Sequence, residues 1–311
     1  MIMYGLVTFM IFTNSANFKG SFFKIFVVGF FMNLWTYLNS FVTLRVPQNT
    51  KMNGSFSDFF SSHDLQHNDN IFPTSFFHMM HFHFAYTQYS FNTLMCLNRA
   101  MVVFFPLKCE IFWQKYFLLI VSVLFFLPFA TTFNIFIHHS YYEYFPDEDY
   151  FAINTTYGKA AIYAVLMPTL MIVTATNIVV NVTTLGKMVT MKKTTRRTLE
   201  VNLLLMTFSV FVIDMFLSIL SLFNFSVSTN SYHFLEYFMA TETLKSLNVT
   251  TQLLTPFASD FLTFSHPWLL IIFSAQIRKK VFSLVGVQLE AKSNIPPNIV
   301  RVKASSRSAW D

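Results

Sequence analysis

The side chains best able to do chemistry in this chain fall into four small groups. His78, His81 and His83 crowd a stretch rich in Phe and Tyr that also carries Tyr86. His78 and His81 share an i, i+3 helix face, a spacing two metal ligands can use. His83 points off that face and no second His pair completes a ligand set, so we expect neither metal nor cofactor. Polar tips in an aromatic wall are better suited to orienting a small molecule, with His81 first and His78 and Tyr86 beside it. Arg99 follows His81 by eighteen residues, which is five helical turns, so the two share a face about 27 Å apart. A cation there can pair inside a helix bundle in one state and face another protein in a second. Lys192, Lys193, Arg196 and Arg197 form a basic cluster that could share that docking surface. Asp214 and Asp260 lie in apolar runs, each thirteen residues from an end and so about 20 Å deep. Carboxylates at such depth are costly and face the interior, where these two could share a proton, an ion or a cationic ligand group. With no catalytic triad, phosphate loop or metal set in the sequence, we expect no enzymatic activity.

The elements that must hold these residues are set by composition. Of 311 residues, 54% are hydrophobic and only 12% charged, against about 25% charged in a soluble domain. So few charges cannot coat two soluble domains, and seven glycines exclude a collagen-like chain. An integral membrane protein remains. Six stretches are long and apolar enough to cross a bilayer, which takes about 20 residues: Ile25–Leu44, Thr74–Leu97, Tyr116–Ile137, Ala160–Val182, Val201–Phe223 and Leu253–Phe273. A seventh apolar run, Met1–Phe12, would reach only about 18 Å and reads as an incomplete first span.

Charge placement sets the orientation. Seventeen of the 21 Lys and Arg residues fall in Thr13–Lys24, Asn98–Lys115, Gly186–Glu200 and Ser274–Asp311, while nine of the 15 acids fall on the opposite side. The basic side is therefore expected to be cytosolic, and the net charge of +6 reports topology rather than a nucleic-acid partner. Sequons at Asn53 and Asn154 lie on the expected outer side and are the candidate glycosylation sites, while Asn181 sits at the inner end of a span. Cys96 and Cys109 offer no outer disulfide. The sum is an all-α integral membrane protein. Its seven-transmembrane helix bundle occupies residues 1–273, with the N-terminus outside. A cytosolic tail, 274–311, follows. In it, a short amphipathic helix over 275–290 lies on the inner leaflet and residues 291–311 are disordered.

The inner end of the third span reads Leu97-Asn98-Arg99-Ala100-Met101, with Pro106-Leu107 following. In this it resembles a G-protein-coupled receptor, whose third helix ends in an acid, an Arg and an aromatic with Pro-Leu seven residues after the Arg; here Asn98 and Ala100 replace the acid and the aromatic. The longer phrase through Phe104-Phe-Pro-Leu-Lys108 and Glu110-Ile-Phe-Trp113 resembles the nematode serpentine chemoreceptors of class gamma. Ser40-Phe-Val-Thr-Leu-Arg45-Val-Pro47 and Ser259-Asp-Phe-Leu-Thr-Phe-Ser-His-Pro-Trp268 are similar to that class as well. Two departures from the rhodopsin group stand out: no Cys is available to tie the third helix to the second outer loop, and Val201–Phe223 lacks a proline.

The resemblance implies a plasma-membrane receptor of sensory neurons that binds an external chemical cue and activates a cytosolic heterotrimeric G protein, with Arg99 and Pro106, aided by Lys192 and Arg196, at the coupling surface. A seven-helix ligand-gated odorant channel and a transporter are the alternatives. The first would run with its N-terminus inside; the second would show paired repeats, and none is visible here.

Overall fold

The computed structural model describes residues 2–14, 18, 20–64, 73–146, 149–190, 205–213 and 263–284, with a few single positions between the last two segments. Asp214, Lys192, Arg196 and the tail 285–311 lie outside the described residues.

Helix α1 spans Ile2–Thr13 and α2 spans Ser21–Ser40. The latter runs on through a π-helical turn, Phe41–Arg45, and a last turn, Val46–Gln48. Pro47 explains the wide turn: it has no N–H for the carbonyl four residues earlier, and its ring would crowd that carbonyl. A short helix α3, Ser57–Ser61, leads to α4, Thr74–Phe104. Only Phe105 separates α4 from α5, Pro106–Phe126, so the basic segment Asn98–Lys115 is two helices meeting at one residue. The cause is Pro106, which disfavours helix at the residue before it and holds Phe105 at φ −135°, ψ 57°. The same proline then opens α5 at its first position, where no N–H is needed. Pro128 breaks the next run, and α6, Phe129–Ile137, restarts with the hydroxyls of Thr131 and Thr132 on the Pro128 carbonyl at 2.9 and 3.0 Å.

The loop that follows corrects the all-α expectation. Strands β1, Ser140–Phe145, and β2, Tyr150–Thr155, pair antiparallel with Tyr142 opposite Ile153 and Tyr144 opposite Phe151. Runs of Tyr and Phe favour a pleated surface on which rings meet across strands. Tyr142 and Phe151 pack on Phe60 of α3, with ring centroids 4.6 and 5.5 Å away. Helix α7, Lys159–Thr190, follows, then a helical stretch at 205–213, α8, Thr263–Phe273, and α9, Ala275–Leu284. Of the amphipathic helix expected over 275–290, the part to Leu284 is described.

Among the described residues three helices are long and apolar enough to cross a membrane: Ser21–Gln48, Pro106–Ile137 and Ala161–Thr190. Their outer faces expose Trp35, Leu118, Leu119, Phe126, Ile172 and Val179, as surfaces facing lipid do. Helix α4 is of ample length, at 31 residues, but three histidines, Gln88, Asn92, Asn98 and Arg99 make it too polar for that test. It can carry them because it is wrapped by α2, α5, α6 and α7. The main core lies at the end of α4 that holds Arg99, where Tyr4, Phe22, Phe26, Leu94, Trp113 and Leu270 are buried together.

Candidate functional site

Helix α4 links three sets of candidate side chains. At its first end, near the hairpin, Ser75 and His78 are buried and bound to the start of β1. The Ser75 hydroxyl donates to the His138 carbonyl and accepts from the Ser140 N–H, both at 2.9 Å. His78 Nδ1 lies 3.0 Å from Ser140 Oγ. This seam ties α4 to the start of the hairpin. His78 is thus engaged with the hairpin, whereas the half-buried His81 meets Phe82 edge-on at 5.3 Å.

One turn further along, Phe82 and Tyr86 line a cavity of about 140 Å³ with Thr131, Asn134 and Ile135 of α6 and Ile162 of α7. The Tyr86 phenol interacts with Thr131. The cavity owes its existence to Pro128: restarting the helix as α6 turns hydroxyl and amide side chains toward α4. No acidic or basic side chain lines it. Of the expected ligand residues, the structure brings Tyr86 to the cavity. Asp260 is placed elsewhere, in an ion pair with Arg45, whose guanidinium also lies 5.0 Å from the Tyr37 ring. The widened turn before Pro47 presents Arg45 to that acid, a partner the sequence left unnamed.

His83 is wholly buried, its ring 3.9 Å from Phe129 and 5.2 Å from Phe125, and among the described residues neither of its nitrogens has a hydrogen-bond partner. Its turn away from His78 and His81 carries it into the α4–α5 contact. Among the described residues no three His, Cys, Asp or Glu side chains stand together as a metal site.

In the middle of α4 a polar layer joins four helices. Gln88 Nε2 donates to Asn33 Oδ1 and Thr263 Oγ1, each at 3.0 Å, and Asn33 Nδ2 donates to the Tyr4 hydroxyl at 3.2 Å. Asn92 Oδ1 lies 3.0 Å from His266 Nε2. Buried amides survive there because each is answered by another polar group. Sequence reading found the cost of polar residues in spans but missed this layer; the signal was Gln88 and Asn92 at i, i+4 on the face shared by His81 and Arg99.

The far end holds Arg99, 7% exposed, with its guanidinium stacked 3.8 Å from the Phe22 ring. The neighbouring Asn98, fully buried, donates to the Ser21 hydroxyl at 2.8 Å, and the Ser21 N–H donates to Glu110 at 3.3 Å. Where the rhodopsin group has an acid beside the Arg, this chain has an amide that ties α4 to the first residue of α2. Pro106 sets the angle at which α5 leaves and so places Glu110. On the same half of the bundle, Asn181 is buried and donates to the Asn177 carbonyl at 2.8 Å and to Cys96 Sγ at 3.5 Å. Asn53 is exposed in a turn near the hairpin, and Asn154 stands in β2 with its amide 2.8 Å from Glu143.

Two comparisons bear on this arrangement. Serpentine receptor class gamma-31 of Caenorhabditis elegans is 27% identical over 296 residues, covering 95% of this chain and 92% of that protein. The family profile of the Srg chemoreceptors matches residues 1–281, which takes in α1 to α8, most of α9, the cavity, the polar layer and the Arg99 end alike. The chain belongs to the Srg family of chemoreceptors.

Proposed function

We propose that this chain is a seven-helix chemosensory receptor of the plasma membrane, with the hairpin outside and the Arg99 end in the cytosol. It takes an external small molecule into the cavity beneath the hairpin and passes the event to a heterotrimeric G protein. One observation carries the reading: the cavity residue Tyr86 and the buried Arg99 lie on one unbroken helix, about 20 Å apart, with the Gln88–Asn92 layer between them. A ligand that shifts α4 against α6 and α7 moves the polar layer and the Asn98–Ser21 contact in the same stroke, as a packed two-state element does. Ligand contacts fall to Tyr86, with His81 beside Phe82 at the rim. Arg99 is the coupling cation, with Lys192 and Arg196 on the adjoining segment.

The lining favours an uncharged, compact cue, since a bare charge would meet no opposite charge there. The test is a reporter cell that expresses the chain with a promiscuous G protein and is challenged with neutral cues. Ala161→Trp fills the cavity wall and should abolish the response at normal surface level. A full response from that variant would place the ligand elsewhere. Glycan attachment at Asn154 and Asn53 but not Asn181 tests the orientation separately.

A further inference from the structure

At the Arg99 end, the last turn of α1, the first turns of α2 and the start of α5 leave a groove of about 860 Å³ between them. Its walls are Ile11, Phe12, Phe23, Val28 and Phe117, and its polar rim is Lys24 and Glu110. That volume is within the range of sites that receive whole small molecules. The walls are as apolar as the lipid-facing surface beside them, so in a bilayer an acyl chain fills the groove rather than water. The rim then decides which lipid stays. Glu110 already accepts the Ser21 N–H, while Lys24 is exposed. A second ammonium, that of Lys280 on α9, lies 5.1 Å from the ring of Phe18, another residue of the groove, and donates to Asn14 at 2.9 Å. With Lys280 beside it, the rim sets two ammonium groups against one carboxylate, in a protein whose basic residues concentrate on this side.

We propose that this groove is a binding site for an anionic phospholipid, with its acyl chain against Phe23 and Phe117 and its headgroup at Lys24, near Lys280. That the lipid comes from the inner leaflet rests on the orientation given under the proposed function. The site adjoins the coupling contacts, since Glu110 at its rim holds Ser21, and Ser21 in turn takes the Asn98 amide.

The experiment uses the full chain in nanodiscs of phosphatidylcholine carrying spin-labelled phosphatidylserine or spin-labelled phosphatidylcholine, and reads the fraction of each label that is immobilised. Phosphatidylserine should be held several-fold over phosphatidylcholine. Lys24→Gln should lower that preference about fivefold, the effect of one basic residue near an anionic headgroup. Val28→Trp should release both labels by filling the groove, and Lys187→Gln, an exposed cation on α7, should leave the preference intact. Equal retention of the two lipids by the unaltered chain would overturn the site. So would a loss in Lys187→Gln as large as that in Lys24→Gln, since general attraction to the surface would then suffice. The measurement does not depend on orientation or signalling. A selective groove in a chain glycosylated at Asn181 instead of Asn154 would move the lipid to the other leaflet and leave the site in place.

Discussion

At the hairpin end, β1, β2 and α3 close on one another through six paired residues on each strand, an aromatic cluster around Phe60, and the Ser75–Ser140 seam. At the Arg99 end, α2, α4 and α5 share the main apolar core, and into it are set polar contacts of another kind: an amide on a hydroxyl, an N–H on a carboxylate and a guanidinium on a ring. The first arrangement spreads its stabilisation over many atoms and loses little when any hydrogen bond fails. The second adds to its apolar core polar pairs that can exchange partners within a small free-energy range. A chain whose two cysteines are both free and buried therefore keeps its hairpin in register by packing.

The largest expected effect breaks the first half of that contrast. Phe60→Ala removes the ring on which Tyr142 and Phe151 both rest, and truncating a buried Phe costs about 3–5 kcal/mol. The melting temperature in detergent, followed by exposure of the buried thiols Cys96 and Cys109 to a maleimide dye, should fall clearly. An unchanged transition would mean that the hairpin is a passenger on the bundle.

Arg99→Ala sharpens the second half. Losing a charge-assisted contact is expected to lower nucleotide exchange on the G protein roughly 10- to 100-fold. The same thiol-exposure transition should move far less than in Phe60→Ala, and surface level should stay near normal. If thermal stability collapses while coupling per receptor persists, Arg99 is part of the core and the contrast between the ends fails.

Much of this was legible before any coordinates. Membrane character followed from sparse charge, the helices from runs of apolar residues, and the position of Arg99 from its spacing to Pro106. The hairpin was not legible, because its alternation of Tyr and Phe puts aromatic residues on both faces and so lacks the apolar–polar period of a half-buried strand. The segment Asn98–Lys115, used for its charge alone, turned out helical on both sides of Phe105, since long basic side chains extend from helices as readily as from loops. Asp260 looked like a ligand anchor because its depth was visible and its partner was not. Arg45 reaches it only through the widened turn that Pro47 imposes, a consequence of backbone geometry that residue spacing alone does not show. Likewise, His78 looked like a free polar tip, and Ser140, 62 residues away in the chain, is what it meets.

The smallest expected effect concerns the turn between the strands. Asp149 adopts φ 51°, a left-handed conformation that Asp tolerates better than most residues. Its carboxylate accepts the Met52 N–H at 3.0 Å and the Tyr144 hydroxyl at 2.8 Å, tying the segment before α3 to the hairpin. Chiefly the Met52 N–H, then the Tyr144 hydroxyl, holds its pKa below the ordinary 3.8, while the bond to Asp149 raises that of Tyr144 above 10.0. The signs follow. A depressed carboxylate contributes stability above its unfolded pKa and loses it as pH falls through the lower folded value; the raised phenol contributes below its unfolded pKa and loses it as pH climbs through the higher folded value. The clip should therefore be intact across the neutral range and open only in acid below the usual carboxylate range or in strong alkali. Both groups face solvent, so the change is small and local: protease nicking within 145–150 should rise at the acid limit while the maleimide transition stays in place. Asp149→Asn retains an oxygen that can accept both bonds but carries no charge, so its nicking should be slightly raised at neutral pH and flat into acid. If the unaltered chain shows the same flat profile, the carboxylate is not what holds the turn, and the hairpin end depends on its rings and backbone pairing alone.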